Sequence, residues 1–540
     1  MIREKIAKLV KETIKELQKE KVLQFFDIPE IKIEHPEEKT HGDYSTNVAM
    51  QIVKDIKTKP IEIAKLLNSK LKAKKSKFFE KIEVVNPGFI NFFLSKGYLQ
   101  VQISKILKEK EKYGQLKIGK NKKVQVEFIS ANPTGPLTVG NARGGPVGDV
   151  LGNILKKAGF IVEKAYYIND YGMQILTLGH SVLKDEKAKY KGDYINYLNK
   201  IIKEEDPYKA GEMAAKIIVK EMIKKSAEKM GIKYDEWASE SSFYASGEVD
   251  KVLKFLKKKN LLYEKEGAFW FKSVKFGDKR DRVVIKKDGW KTYLAGDIAY
   301  HRYKFEKKKF DKVINIWGAD HYGDVPGLQA AVEALGHKGK LDIILLQFVT
   351  LLKKGEKLKM SKRAGIYVAM DELIDEIGND VVRFFFLQRA ASTHLDFDLS
   401  LAKDKSEKNP VYYVQYAYAR ICSILRKAIN NKQQATRINT SKSPVSRCLS
   451  LLTHPAELDL IKQLIRFPEI IEDAARDYQI QRLPQYAIDL ATIFHKFYQN
   501  CKVLTEDKNI REARINLISA TKIVLGSILN LIGVSAPEKM

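Results

Sequence analysis

The stretch Val124-Gln125-Val126-Glu127-Phe128-Ile129-Ser130-Ala131-Asn132-Pro133-Thr134-Gly135-Pro136-Leu137-Thr138-Val139-Gly140-Asn141-Ala142-Arg143-Gly144 decides the fold. Val124, Val126 and Phe128 alternate with polar residues, the period of a strand. A loop rich in proline and glycine follows. Then Val147, Val150, Leu151, Ile154, Leu155 and Ala158 recur on one helical face, and Gly159 stands where a C-cap belongs. Phe160 to Ile168 reads as the next strand. A strand, a glycine-bearing loop and a helix N-terminus make a cradle for phosphate, because unpaired N–H groups and the helix dipole favour an anion there. This is the first unit of a doubly wound parallel sheet, whose ligands bind beyond the carboxyl ends of its strands.

Outward from this unit, residues 1 to 115 read as a separate α+β module. Ile2, Ile6, Leu9, Val10, Ile14 and Leu17 keep helical spacing, and strand-like runs follow at 82–85 and 89–93. The basic stretch Lys117 to Lys123 reads as a linker. A Rossmann-like domain then spans residues 116–400, with a charged helical insertion at about 180–265 and further strands at 282–285, 312–316 and 343–348. Residues 401–540 read as an all-α bundle, interrupted by a polar loop from Asn430 to Arg447.

Downstream stands a second chemistry-bearing segment, Lys359-Met360-Ser361-Lys362-Arg363. Two ammonium groups on a loop that closes over a departing pyrophosphate stabilise the charge that builds there. On its own it reads equally as a lysine-rich surface loop.

Composition narrows the class. The chain has 540 residues, a size that calls for several cores. Lys and Arg number 96 against 67 Asp and Glu, a formal charge of +29. That excess speeds encounter with a polyanion, and it equally matches a general lysine bias. No run of about 18 uninterrupted apolar residues marks a membrane span, and the charged N-terminus lacks a signal-peptide core. Three cysteines without metal-ligand spacing (Cys422, Cys448 and Cys501) fit a reducing cytoplasm and no protein-bound metal.

Ser130 to Gly144 and the Lys359 segment together resemble the two signature motifs of class I aminoacyl-tRNA synthetases, and the string Ala131-Asn132-Pro133-Thr134-Gly135-Pro136 resembles the arginyl-tRNA synthetase family. The pattern departs at two positions, where Thr138 and Asn141 stand for the family's histidines. Both are neutral donors. The resemblance assigns catalysis to Thr138, Gly140, Asn141, Lys359 and Lys362. It assigns ATP binding to Pro133, Thr134, Gly135, Pro136, Leu137, Val139, Gly140, Met360 and Ser361. Arginine contacts fall on Glu127, Ser130, Asn132, Tyr293, Asp297, Asp320 and His321. A guanidinium is matched by carboxylates, and Tyr293 and Asp297 are spaced to share a helical face. On residues alone, Glu127 reads equally as a solvent-facing strand position.

In the bundle, Tyr412, Tyr416 and Arg420 lie a helical turn apart and suit stacking with unpaired RNA bases. As single residues they read equally as bundle core. The resemblance implies ATP with Mg2+ as a substrate complex, L-arginine and tRNA(Arg) as partners, a monomer, and activation that needs bound tRNA. Thr138 and Asn141 also motivate a second reading, an RNA-binding pseudoenzyme that keeps the scaffold and has lost activation. A third is a class I synthetase for another amino acid.

Overall fold

A computed structural model describes residues 1–74, 76–353, 355–357, 368–435 and 448–540. Its centre is a five-stranded sheet in the order Leu341–Leu346, Lys312–Gly318, Lys123–Glu127, Ile161–Ile168, Glu236–Ser239. Every neighbouring pair is parallel. Lys123–Glu127 is central. The chain first winds to one side through Ile161–Ile168, then returns on the other side as Lys312–Gly318. The switch point therefore lies at the carboxyl end of Lys123–Glu127, where a doubly wound sheet opens a crevice.

The helix Gly144–Lys157 follows the quoted loop, and Gly159 closes it with φ +92°. Val150, Leu151 and Ile154 are fully buried against the sheet. Gly148 permits this packing, because a Cβ there would stand 2.1 Å from the Phe128 ring. The stretch read as a linker is anchored. The Leu116, Gly119 and Asn121 amides donate to the carbonyls of Lys157, Ala158 and Gly159. These bonds satisfy the carbonyls at the helix end.

One expectation for the middle of the chain is corrected. Within the stretch read as helical, Glu236–Ser239 forms the outer strand of the main sheet. Four residues with one large apolar side chain give no strand period to read. Arg282–Ile285 is a strand, as read, and pairs in a separate antiparallel sheet with Leu262–Lys265 and Ala268–Phe271. The helices Met173–Leu183 and Pro207–Ile218 pack so closely that a Cβ on Gly179 would stand 1.6 Å from the Pro207 carbonyl oxygen.

The helix Ile2–Lys19 buries Ile2, Ile6, Val10, Ile14 and Leu17, and the strands Tyr44–Thr46, Phe89–Leu94 and Phe79–Val85 form an antiparallel sheet beside it. This module sits on the C-terminal bundle. Arg3 pairs with Glu472 and Asp473 at 2.6 and 2.7 Å. The Tyr44 hydroxyl donates to Glu469, and a ring nitrogen of His35 lies 2.8 Å from the same carboxylate.

The bundle comprises Pro410–Ala435, Pro455–Ile465, Phe467–Asp477, Arg482–Asn500 and Lys508–Ile532. The first helix continues through Ala435, into the segment read as a loop. Its Lys432-Gln433-Gln434-Ala435 end is polar but made of good helix formers. Residues 436–447 lie outside the described set. Lys508–Ile532 has the length and apolarity to cross a membrane, but Leu517, Ile518, Val524, Leu525 and Ile528 are fully buried in the protein core.

Three buried charges join sheet and bundle. Arg383 pairs with Asp149 and donates to the carbonyls of Ile532 and Met230 at 2.9 and 2.7 Å. Lys164 donates to Asp149 at 2.6 Å from the other side. Asn153 donates to the Leu531 carbonyl. The helix that follows the cradle is thus bound to the last turn of the chain's last helix.

Candidate active site

Two adjoining cavities, each of about 490 Å3, open at the switch point. They share Ile129, Asn141, Ile316, Trp317, Gly318 and Asp320.

The loop between strand and helix is built under strain. Ile129 and Ser130 hold φ +65° and +40°, conformations costly for non-glycine residues and worst for a β-branched one. The turn is over-determined by its bonds. Ser130 Oγ donates to Glu127 and accepts from the Tyr167 amide, and the Ser130 carbonyl accepts from Asn169. The turn aims Glu127, Ser130 and Asn132 into the first cavity.

Tyr293 and Asp297 both line that cavity from the helix Tyr293–Arg302, one turn apart as their spacing predicts. Asp320 and His321 stand at its rim, with side chains 65% and 57% exposed. His321 Nδ1 lies 3.5 Å from Asp324.

Glu240 was not legible in the sequence. It follows the outer strand directly and lines the same cavity, 2% exposed. Its Oε2 is buried without a hydrogen-bond partner. Burial, with Asp297 and Asp170 adding like charge, pushes its carboxyl up to about 9. Burial and the neighbouring Glu127 push Asp297 up to about 7, against the pull of Lys304. The only available signal was an acid directly after a short segment, and that segment did not read as a strand. Two desolvated carboxyl groups without a counter-ion of their own make a receptor for a cation.

Glu127 differs from them. Lys304 is fully buried and donates to it at 2.5 Å, so this acid already has its cation. The alternative of a solvent-facing strand position does not hold, since Glu127 is 4% exposed.

The second cavity is lined by Thr138, Gly140, Asn141, Gly144, Gln347 and Phe348 beside the shared residues. Thr138 Oγ1 donates to Asn141 Oδ1 at 2.7 Å. This leaves the Asn141 amide nitrogen as a donor. A Cβ on Gly140 would meet no atom within 4 Å, so the backbone is open to a ligand. Among the described residues of this cavity none is a cation.

Pro133, Thr134, Gly135, Leu137 and Val139 are buried inside the loop, Pro136 is half-buried, and none of the six lines either cavity. They shape the turn: Tyr194 donates to the Thr134 carbonyl and its ring lies against Gly135. Phe348, read as the end of a strand, lies beyond it. The strand stops at Leu346, and Phe348 stands 58% exposed at the second cavity.

Arg143 explains how the cradle is fixed. Its guanidinium is buried and donates to the carbonyls of Gln347, Thr393, Arg389 and Ala390. Burial pulls it down to about 10. The cradle is also tied to the chain that follows the second signature segment. The Val139 amide donates to the Val368 carbonyl, and the Met370 amide to the Leu137 carbonyl. Lys359, Met360, Ser361 and Lys362 lie outside the described residues.

On the bundle, Val411, Val414, Ala417 and Ile421 face the core, and the tyrosines lie off that face. The rings of Tyr412 and Tyr416 stack with centroids 6.4 Å apart at 7°. Arg420 lies 4.6 Å over Tyr416 and 5.0 Å over Tyr498. The three cysteines are buried free thiols. Among the described residues no group of three or more His, Cys, Asp or Glu could hold a metal ion.

Three domain families match the sequence. They are the arginyl tRNA synthetase N terminal domain at residues 4–94, the catalytic domain of tRNA synthetases class I (R) at 102–212 and 179–384, and the DALR anticodon binding domain at 414–540. The arginine–tRNA ligase of Caldanaerobacter subterraneus subsp. tengcongensis is 43% identical over 561 residues, covering 100% of this chain and 99% of that protein. That of Bacillus subtilis is 44% identical over 564 residues, covering 99% and 100%. The Thermus thermophilus arginyl-tRNA synthetase structure matches the fold with a TM-score of 0.78 at 23% identity, over 100% of both chains.

Proposed function

Because the chain belongs to the arginyl-tRNA synthetase family, we propose that its two cavities divide one reaction between them, arginine in the first and ATP in the second. The reaction is aminoacylation of tRNA(Arg) with arginine. One observation supports the assignment most: Glu240 and Asp297 meet in a single cavity as uncompensated, desolvated acids. A guanidinium supplies the planar donors and the charge that such a pair lacks.

In this reading Glu240 and Asp297 receive the guanidinium. Tyr293, Asn132, Ser130 and the Asp320–His321 pair direct the amino acid's other end toward the nucleotide. Glu127 acts from behind, through its bonds to Ser130 and Lys304. Gly140 and the Asn141 amide meet the phosphates, with Thr138 orienting that amide through its bond to Oδ1, and Phe348 offers a ring face to the base. The remaining loop residues, from Pro133 to Leu137 together with Val139, act by holding the turn.

The α-carboxylate of arginine attacks the α-phosphate of ATP in line. Pyrophosphate leaves with the electron pair of the broken P–O bond, giving arginyl-adenylate. A hydroxyl of the terminal ribose of tRNA, the 2′-hydroxyl for class I, then attacks the acyl carbon and AMP departs. The enzyme forms no covalent intermediate; orientation and charge stabilisation do the work. The neutral donors at Thr138 and Asn141 leave the leaving-group charge chiefly to Lys359 and Lys362, with Met360 and Ser361 as their spacers.

Mg2+ arrives with ATP as part of the substrate. The N-terminal module, residues 1–115, and the bundle, residues 401–540, flank the 116–400 catalytic domain as RNA-contacting parts. Tyr412, Tyr416 and Arg420 form a stacking surface for unpaired bases. The reading extends to a cytoplasmic monomer.

Arginine-dependent ATP–pyrophosphate exchange, with and without tRNA(Arg), tests it. Exchange that needs tRNA is the expected result. Exchange with lysine in place of arginine, or aminoacylation indifferent to Asp297→Asn, overturns the assignment of the first cavity.

A further inference from the structure

Beneath the acid pocket lies a cation that no step of the reaction uses. Lys304 is fully buried in the π-helical turn Tyr303–Lys307, which continues the helix bearing Tyr293 and Asp297. Its ammonium donates to Glu127 and, at 3.3 Å, to Asn315 Oδ1. It lies 4.1 Å over the Tyr300 ring. Asn315 Nδ2 lies 3.0 Å from His301 Nε2, and His301 Nδ1 lies 2.8 Å from the Asp297 carbonyl. A carbonyl only accepts, so Nδ1 bears the proton and Nε2 accepts from Asn315. Burial, with Lys304 adding like charge, lowers His301 well below the usual range and keeps it neutral.

We propose that Lys304 is a positioning residue for amino-acid selection, a built-in counter-cation that fixes Glu127 and, through Asn315 and His301, the turn bearing Asp297, so that the pocket presents a charge matched to one guanidinium. The inference rests on the reading that arginine's guanidinium occupies this cavity.

Five carboxyl groups line the cavity: Asp320 and Asp324, whose side chains are 65% and 67% exposed at the rim, and the desolvated Glu127, Glu240 and Asp297. One guanidinium brings one charge. Lys304 neutralises Glu127 from below, and Glu240, pushed up to about 9, keeps its proton at neutral pH, so Asp297 supplies the one negative charge and Glu240 a further acceptor. The groups acting on Asp297 come from every side. They are Glu127 on the central strand, Asp324 before the helix Val325–Ala334, Lys304 on the extension of its own helix, Glu240 and Tyr244 on Glu240–Ala245, and Tyr167 on the neighbouring strand. Of these, Lys304 is the one that favours the ionised acid.

Replacing both members of a buried ion pair with neutral groups is often harmless to stability, whereas removing one leaves the other uncompensated. The full-length protein is therefore compared with Lys304→Met, Glu127→Gln and the double variant. Arginine binding is measured by calorimetry from pH 6 to 10, and KM and kcat by aminoacylation with tRNA.

In Lys304→Met, the pH midpoint of arginine affinity is expected to rise by about one pH unit. The arginine KM at pH 7 rises roughly tenfold, while the ATP KM stays unchanged. In Glu127→Gln the midpoint moves the opposite way. The double variant returns toward the parent midpoint, which a packing role does not produce.

Midpoints unmoved in both single variants, or losses that add in the double, overturn the role of Lys304. Should Lys304→Met fail to fold, Glu127→Gln and the double variant read the same coupling. Arginine affinity that is untouched by Asp297→Asn sinks the underlying cavity assignment instead. Loss there, with no pH movement in the Lys304 and Glu127 variants, sinks only this inference.

Discussion

The two cavities share a wall, yet they handle charge in opposite ways. On the arginine side Glu240 and Asp297 are desolvated and have no counter-ion of their own. The nucleotide side presents neutral donors, an open glycine backbone and an exposed ring, with no cation among its described residues. Selecting a small cation demands fixed acids in a dry pocket, where an ill-matched ligand leaves charges unpaired. Stabilising a leaving group demands charge delivered as the bond breaks. The difference between the halves therefore matches the two parts of the chemistry, recognition and activation.

The sharpest way to break this contrast is Asp297→Asn. It removes the ionised acid that faces the guanidinium, and loss of one partner in a buried charge pair costs about 3 kcal/mol. The arginine kcat/KM should fall about a hundredfold, with ATP KM unchanged in steady-state aminoacylation. A fall of less than about fivefold removes the acid pair from recognition.

The complementary change lies on the other side. Lys359→Ala and Lys362→Ala should each lower kcat by roughly fiftyfold and leave the arginine KM alone, because their charge acts on the departing pyrophosphate. An effect confined to KM would place them in ground-state binding and erase the contrast. Thr138→Ala sharpens it further. The Thr138 hydroxyl donates to Asn141 Oδ1 and so orients the Asn141 amide rather than meeting phosphate itself, and its loss costs less, about tenfold in kcat.

The contrast also has a pH signature. Asp297 sits at about 7 and Glu240 at about 9 in the empty pocket, so the proton a guanidinium displaces near neutral pH is that of Asp297, while Glu240 keeps its own. Arginine affinity should rise with pH through that window, by about tenfold between pH 6 and 9. The sign for stability is the reverse. Acids raised above their unfolded values stabilise the empty fold at low pH and lose that contribution as pH rises through 7 and then 9. Bound arginine offsets the loss, so its increment to Tm should be larger at pH 9 than at pH 6. Calorimetric titration and thermal melts with and without arginine check both signs. The smallest effect belongs to the bundle. Arg420→Ala should raise the KM for tRNA about fivefold, without altering that for arginine or ATP.

Legibility followed the range of the interactions. The cradle was readable because its determinants are local. Alternation makes Lys123–Glu127, helical spacing makes Gly144–Lys157, and glycine marks the turn. Tyr293 and Asp297 were readable as neighbours for the same reason. Phe348 and Glu240 were not. The first was hidden in an apolar run that ends two residues earlier than its hydrophobicity implies. The second follows a strand too short to announce itself. The loop from Pro133 to Leu137 was readable as a turn, but which of its residues face a ligand depended on Tyr194, sixty residues along the chain from Thr134.

By itself, the sequence determined the elements, the cradle and, through resemblance, the reaction, because each rests on spacing along the chain. Only the tertiary structure decided which acids share a pocket and which already hold a cation. Glu127, Glu240 and Asp297 lie on three separate elements, with Lys304 on the extension of the Asp297 helix, and whether a charge is paired or left waiting depends on distance through space and the water excluded around it, which no local pattern encodes.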